Sequence, residues 1–242
     1  MRVAVISDIH ANLQALEAVL ADLEASDPDE LWCLGDLVGY GPRPNECTRI
    51  VAERASVCLI GNHDLAGLDE TGAAVADFNV DAAAAARWTQ AALERDTREF
   101  LASLEPQAER GGVAMFHASA RDPVWEYVLD YDTAAATLAA APLVLVGHSH
   151  VALAITEQRG TVSGGLAPGG HEQSLAEGRW LLNPGSVGQP RDGDPRAAWL
   201  LLELDKRVAR FHRVEYEVER TQEEIRAAGL PHALADRLAV GV

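Results

Sequence analysis

Five apolar runs in this chain end in residue types that bind metals. VAVIS is followed by Asp8 and His10, and LWCLG by Asp36. VCLIG runs into Asn62, His63 and Asp64; VAMF into His117; LVLVG into His148 and His150. The types are carboxylates, imidazoles and one amide oxygen, with no thiolate. Such a set suits Mn²⁺, Fe, Zn²⁺, Co²⁺ or Ni²⁺ better than Ca²⁺, which prefers all-oxygen sites. Seven candidates, Asp8, His10, Asp36, Asn62, His117, His148 and His150, are too many for one ion, whose first shell takes three or four protein groups. They fit two ions if one carboxylate bridges. Two ions roughly 3.5–4 Å apart form the arrangement used for phosphoester displacement. Asp8 and His10, like His148 and His150, are two residues apart, so on extended backbone each pair points the same way.

Convergence of these residues requires particular elements. Arg2 to Asp8 reads as a buried strand. Leu13, Leu16, Leu20 and Leu23 then form one face of a helix, with Pro28 beyond it as a stop. Leu31 to Gly35 is a second strand, PNECTRIVAER a second helix and Val57 to Gly61 a third strand. This alternation marks an α/β layered fold, in which ligands gather beyond the carboxyl ends of the strands. LAGLDETG reads as a loop and GNHD as a tight turn, since Gly and Asn tolerate left-handed backbone. Asp81 to Leu104 is Ala-rich and helical; a strand GVAMFHAS, a short helix Thr133 to Ala140 and a strand Leu143 to Gly147 follow. VALAIT, RGTVSGG, RWLLN, AAWLLLELD and RVARFHRVEYEV read as consecutive strands, with SGGLAPGGHEQ as a mobile surface loop. The last stretch reads as two short helices broken at Gly229 and Pro231. Two sheets packed face to face in one domain are expected.

The ordered set Asp8-Ile9-His10, Gly35-Asp36, Gly61-Asn62-His63-Asp64, a lone His117 and Gly147-His148-Ser149-His150 resembles the calcineurin-like metallophosphoesterase superfamily over residues 1 to about 205. GDLVGYGPRPNEC and NPGSVGQPRDGDPR further resemble a small bacterial and archaeal, phosphodiesterase-like branch. At average composition GNHD arises by chance in about one chain in a thousand of this length. Four companions in the right order make accident untenable. The resemblance implies a four-layer α/β/β/α sandwich of two mixed β-sheets flanked by helices. It implies one domain over residues 1–242, with C-terminal helices at about 219–240 packing on it. One metal would be held by Asp8, His10, Asp36 and His150, the second by Asp36, Asn62, His117 and His148. Mn²⁺ heads the candidate ions, with Fe, Zn²⁺, Ni²⁺, Co²⁺ and Mg²⁺ also compatible. A hydroxide shared by the two ions would be the nucleophile. His63 would face the substrate, with Asn62, and protonate the leaving oxygen; Asp64 would orient His63, the competing role being a helix cap. The activity implied is hydrolysis of a phosphoester, a diester before a monoester. Phosphoprotein phosphatases usually carry Asp-Arg soon after the Gly-Asp pair, where this chain has Gly39 and Tyr40. Ala11 stands where many relatives carry Gly.

Composition narrows the partners. The chain has 242 residues, 37 acidic against 20 basic, for a formal charge of −17. Such a surface repels polyanions, so a small nucleotide-type substrate is expected rather than long nucleic acid or an anionic membrane. Arg191 and Arg196 sit in a Gly/Pro/Asp loop; each either holds substrate phosphate or pairs with Asp192 or Asp194. Arg191 is taken as the phosphate group, and Asn12 as the cap of the Leu-striped helix. His171, in the Gly-rich loop, is a weaker substrate candidate. Trp32 and Trp199 read as core, Trp88 and Trp125 as helix packing. Three cysteines and an N-terminal apolar run too short for a secretory signal point to a reducing, cytoplasmic setting. The competing functions are a phosphomonoesterase or phosphoprotein phosphatase on the same metal chemistry, and a non-catalytic scaffold on the same fold. The oligomeric state is left open.

Overall fold

The computed structural model describes residues 1–69, 71–76 and 78–242. In chain order the elements are β1 (Arg2–Ile6), α1 (Leu13–Ser26), β2 (Glu30–Cys33), α2 (Pro44–Arg54), β3 (Val57–Cys58), α3 (Asn62–Leu68), α4 (Val80–Ala92) and α5 (Arg95–Ala102). There follow β4 (Gln107–Arg110), β5 (Val113–Phe116), α6 (Tyr131–Leu138), β6 (Leu143–Leu145), β7 (Ala152–Gln158), β8 (Thr161–Leu166) and β9 (Glu172–Ser174). The chain closes with β10 (Arg179–Pro184), β11 (Ala197–Glu203), β12 (Val208–Val214), α7 (Val218–Ala227) and α8 (His232–Asp236).

These strands form two six-stranded mixed sheets, ordered β3-β2-β1-β11-β12-β9 and β4-β5-β6-β10-β7-β8. The two-residue period of a strand explains how they layer. In β1, Val3 and Val5 face a core shared with Met115, Leu145 and Leu182 of the other sheet. Ala4 and Ile6 face the opposite way, onto Leu16 and Val19 of α1 and Val51 of α2. In the second sheet Val113 and Met115 face that shared core, while Ala114 and Phe116 turn to Ala134 and Leu138 of α6. Both faces of both sheets are therefore buried: the expected α/β/β/α sandwich. β1, β2 and β3 run parallel, as do β5 and β6, so five carboxyl ends carry the metal-type residues.

Several local expectations need correction. GNHD is a helix start rather than a turn, because Asn62 opens α3. Gly61 has φ −104°, so its glycine is not there for left-handed backbone. A Cβ at Gly61 would sit 2.1 Å from Asp36 Oδ1, and close approach is what requires glycine. α3 also occupies much of the stretch expected as a loop, in which Glu70 lies outside the described residues. The Gly-rich segment is not all loop: it contributes β8 and the short edge strand β9, which pairs with β12. Trp32 and Trp199 are fully buried and Trp88 packs among helices, as expected. Trp125 instead lies on an irregular segment between β5 and α6 and is 40% exposed. Among the described residues, no helix is long and apolar enough to cross a membrane.

Ala11 is fully buried with φ 51°, a left-handed backbone that glycine adopts without strain. We expect Ala11→Gly to stay within about 1 kcal/mol of wild type and Ala11→Val to lose at least about 2 kcal/mol, since a β-branched residue is strained there and has no room. Urea unfolding of the two variants checks this.

Candidate metal centre

The loops that follow β1, β2, β3, β5 and β6 meet at one place. Asp8, His10, Asp36 and His150 each present a ligand atom within 4.8 Å of the others, and Asp36, His117 and His148 do the same. All of these side chains are buried. Asp36 belongs to both groups. Its Oδ2 lies 3.6 Å from His10 Nε2 and 3.6 Å from His117 Nε2. His150 Nε2 lies 3.5 Å from Asp8 Oδ1. Asn62 Oδ1 reaches His117 Nε2 at 3.2 Å, at the edge of the second group.

Backbone carbonyls orient the imidazoles. His10 Nδ1 donates to Val38 O at 3.1 Å, His117 Nδ1 to Leu34 O at 2.8 Å and His150 Nδ1 to Gln189 O at 2.6 Å. His148 is turned the other way, its Nε2 donating to Trp125 O at 3.2 Å. A carbonyl only accepts, so the ring nitrogen facing it carries the hydrogen and the other nitrogen is a bare lone pair, the arrangement that metal-binding histidines use. His10 Nε2 and His150 Nε2 then face each other at 2.9 Å, lone pair against lone pair. Asp36 Oδ2 is buried with no hydrogen-bond partner among the described residues. Lone pairs and an orphaned carboxylate oxygen aimed at shared points are what a cation would satisfy, so the residues fit metal ions.

The electrostatics agree. Burial pushes the Asp8 carboxyl up to about 7 and the Asp36 carboxyl well above its usual range. Burial also drives His117 down to about 4 and His148 to about 3, and holds His10 and His150 far below an ordinary imidazole. At neutral pH the rings are neutral donors and the carboxyls wait for positive charge.

The backbone at the centre is strained. Asp8, His10, Asp36, His148 and His150 all have left-handed φ, between 50° and 62°, as do Ala11 and Tyr40. Each such residue costs roughly 1–2 kcal/mol. Cross-loop bonds hold the conformations: Asp8 N to Gly35 O at 3.0 Å, His10 N to Asp36 O at 3.0 Å and Gly147 N to His117 O at 2.8 Å. The segment Asn183 to Gln189 braces the rest. Asn183 Nδ2 donates to Gly147 O at 2.7 Å, and Ser186 Oγ to Asp8 O at 2.7 Å. Asn183 thus supports the His148 loop through its backbone.

His63 sits beside the centre at 6% exposure, its ring 4.9 Å from His10, 4.3 Å from Tyr40 and 4.7 Å from Phe78. Its backbone N–H donates to Asp36 Oδ1 at 2.8 Å, while its Nδ1 has no partner among the described residues. Burial drives its pKa well below normal, with Arg191 adding to the effect. Asp64 does not bond the His63 ring, which corrects the expected orienting role. Its oxygens accept Gly61 N at 2.9 Å and Val38 N at 3.0 Å, so it caps α3 and ties that turn to the β2 loop. Burial raises Asp64 to about 6 even so.

Arg191 faces the same centre. Its guanidinium donates to Tyr40 Oη at 3.3 Å and Gln189 Oε1 at 3.0 Å, with a buried Nε left unbonded among the described residues. It pairs with neither neighbouring carboxylate, since Asp192 holds Arg213 and Asp194 holds Arg196. Arg196 is therefore a surface ion pair. Asn12 caps α1, its Oδ1 accepting Ala15 N at 3.2 Å. His171 lies against Phe211 beside β9 and joins neither ligand group. Tyr40 escaped the sequence reading as a site residue. Its only signal was its position in GDLVGYGP, and its 6% exposure beside His10 and His63 appears only in three dimensions.

Comparison with known proteins locates this architecture. Residues 1–207 match the family model described as the calcineurin-like phosphoesterase superfamily domain. An uncharacterized protein of Methanocaldococcus jannaschii is 34% identical over 99% of this chain and 98% of its own. The crystal structure of a metallophosphoesterase from Sphaerobacter thermophilus is 44% identical, superimposes with a TM-score of 0.91 and covers 100% of this chain and 99% of that one. A symmetrical bis(5′-nucleosyl)-tetraphosphatase of Ectopseudomonas mendocina is 41% identical over 69 residues, 27% of this chain and 25% of that protein.

Because Asp8 and Asp36 hold protons near neutrality when no cation neutralises them, metal uptake at pH 6 should release protons, and apparent affinity should fall as pH drops below about 7. The imidazoles, already neutral, add nothing over that range. Calorimetric titration with Mn²⁺ in two buffers of different ionisation heat counts the protons; a count of zero would contradict the assignment.

Proposed function

Since this chain belongs to the calcineurin-like phosphoesterase superfamily, we propose that it is a metal-dependent phosphodiesterase acting on a small diester at the Asp36-centred site. One observation carries the reading: Asp36 Oδ2, buried with no hydrogen-bond partner among the described residues, lies 3.6 Å from a lone-pair nitrogen in each ligand group. Asp8, His10, Asp36 and His150 would hold one ion and Asp36, Asn62, His117 and His148 the other, with Mn²⁺ the first to test. Two divalent ions there would supply Lewis-acid polarisation of the phosphoryl group and an activated water for its displacement.

The chain's own groups do the rest. Arg191 offers an uncommitted guanidinium edge to the non-bridging phosphate oxygens. His63 stands between Tyr40 and Phe78 with its ring 4.9 Å from that of His10, and is the group assigned to hold a hydrogen on the leaving oxygen. Burial holds the ring neutral when no charged ligand is bound. The His63 backbone N–H fixes Asp36 Oδ1, so the acid and the shared carboxylate are positioned by one bond. The single charge of a diester matches one guanidinium and a neutral imidazole, whereas the second charge of a monoester calls for a further cation. A second reading, hydrolysis of a dinucleoside polyphosphate, is favoured by the partial match to bis(5′-nucleosyl)-tetraphosphatases.

His63→Ala should lower kcat for bis-nitrophenyl phosphate roughly 10²–10⁴-fold with bound metal unchanged. Unchanged metal-dependent turnover would remove His63 from the mechanism. Wild type should hydrolyse bis-nitrophenyl phosphate faster than the mono-nitrophenyl ester; the reverse order would establish a monoesterase, and a faster dinucleoside tetraphosphate the second reading.

A further inference from the structure

Between β5 and α6 the chain runs Trp125-Glu126-Tyr127-Val128-Leu129 without regular structure. Alternate residues take opposite sides. Val128 is buried at 4% exposure, and Glu126 turns to Ser119 and Arg121. Trp125, at 40%, and Tyr127, at 45%, turn outward, followed by the exposed Leu129 and Tyr131. Leaving aromatic surface in water forfeits the stabilisation its burial would bring, and this stripe lies on a strongly acidic protein.

The stripe is continuous with the proposed site. Trp125 O accepts the His148 Nε2 hydrogen at 3.2 Å. The Tyr127 ring lies on the His148 ring, centroids 4.0 Å apart and 26° between planes. The Trp125 ring meets Phe78 edge-on at 6.2 Å, and Phe78 lies 4.7 Å from His63. An arc of rings thus leads from the acid, through Phe78, to Trp125, and a second ring covers His148. We propose that Trp125 and Tyr127 form a platform on which the base of a nucleoside phosphodiester stacks while its phosphate sits at Arg191 and the Asp36-centred cluster. This rests on the phosphodiesterase reading above. A base is joined to its phosphate through one sugar, and the platform begins one ring away from the cluster. Aromatic faces accept any base by stacking and read little sequence, as single-stranded nucleic-acid sites do. The net charge of −17 disfavours a long polyanion and leaves a mononucleotide or dinucleotide as the occupant.

The test compares wild type with Trp125→Ala, Trp125→Leu and Trp125→Phe, all loaded with Mn²⁺, on an adenosine-bearing diester and on a ring-free glycerophosphodiester. Trp125→Ala should lower the ratio of kcat/KM values, adenosine diester over ring-free diester, roughly 5- to 100-fold, mainly through KM. Trp125→Leu, which stays apolar but loses the π face, should do the same, and Trp125→Phe should recover most of the ratio. With the same Mn²⁺-loaded proteins, calorimetry should show the ratio of affinities for AMP and inorganic phosphate falling by a similar factor in Trp125→Ala. Unchanged ratios in both measurements overturn the platform. So does a wild type that favours a long-chain acylated diester over the adenosine one, which would make the stripe a lipid-tail surface. Failure of the parent reading looks different: wild type would then hydrolyse no diester with any ion.

Discussion

Three aspartates and five histidines meet in the interior of this protein, and all the aspartates and most of the rings are almost wholly removed from water. Bare carboxylates in such a place cost several kcal/mol each, and hydrogen bonds recover only part of that. Asp36 concentrates the problem. Its Oδ1 accepts the His63 N–H, its carbonyl accepts the His10 N–H, and its Oδ2 has no hydrogen-bond partner among the described residues. The same residue therefore joins three loops and leaves one unsatisfied oxygen between two sets of lone pairs. Positive charge at that oxygen is what the surrounding geometry demands, and the metal dependence of the superfamily supplies its chemical sense.

Holding the groups there consumes conformational energy. Five of the clustered residues adopt left-handed backbone that only glycine takes freely. Rigid strand ends supply one anchor. The other is backbone-to-backbone bonding among loops far apart in sequence, together with the Asn183–Gln189 segment, which grips the Asp8, Gly147 and His150 loops at once. Strain of this kind persists where the surroundings over-determine it, and it keeps the ligand atoms in place before anything binds.

The segment beyond the matched family model and the irregular stretch before α6 frame the site rather than build it. That match ends at residue 207, and α7 and α8 lie beyond it. They bring Ile225 and Leu234, joined by Leu238 just after α8, against Tyr40, whose ring in turn touches His10 and His63. Thr221 reaches back to Asn12 and Gln14 at 3.1 Å each, so the same helices grip the start of α1. The His63 side of the site thus has an apolar wall supplied by the C-terminal segment, and the His148 side an aromatic rim supplied by residues 125–127.

The ligand-type residues were legible in the sequence because metal chemistry restricts residue types severely and each candidate directly follows an apolar run. The layered fold was legible for a related reason: Val3 to Ile6 form a continuous apolar run, as a strand buried on both faces requires, and such runs take turns with helical stretches along the first part of the chain. What escaped depends on which groups meet across space. Asp64 caps a helix and bonds Val38 rather than His63, and Arg191 bonds Tyr40 and Gln189 while Arg196 pairs with Asp194; neighbouring sequence contains a plausible partner in each case, and only folded distances choose. The short strands β4 and β9 carry no apolar period, since they are sheet edges held by one neighbour's backbone. Residue types and spacing thus determined the chemistry this chain can perform and the layers that carry it. Tertiary structure alone decided that Asp36 Oδ2 has no hydrogen-bond partner among the described residues, which arginine bonds a neighbouring carboxylate and which aromatic rings face water, because each is set by distances between groups far apart in sequence.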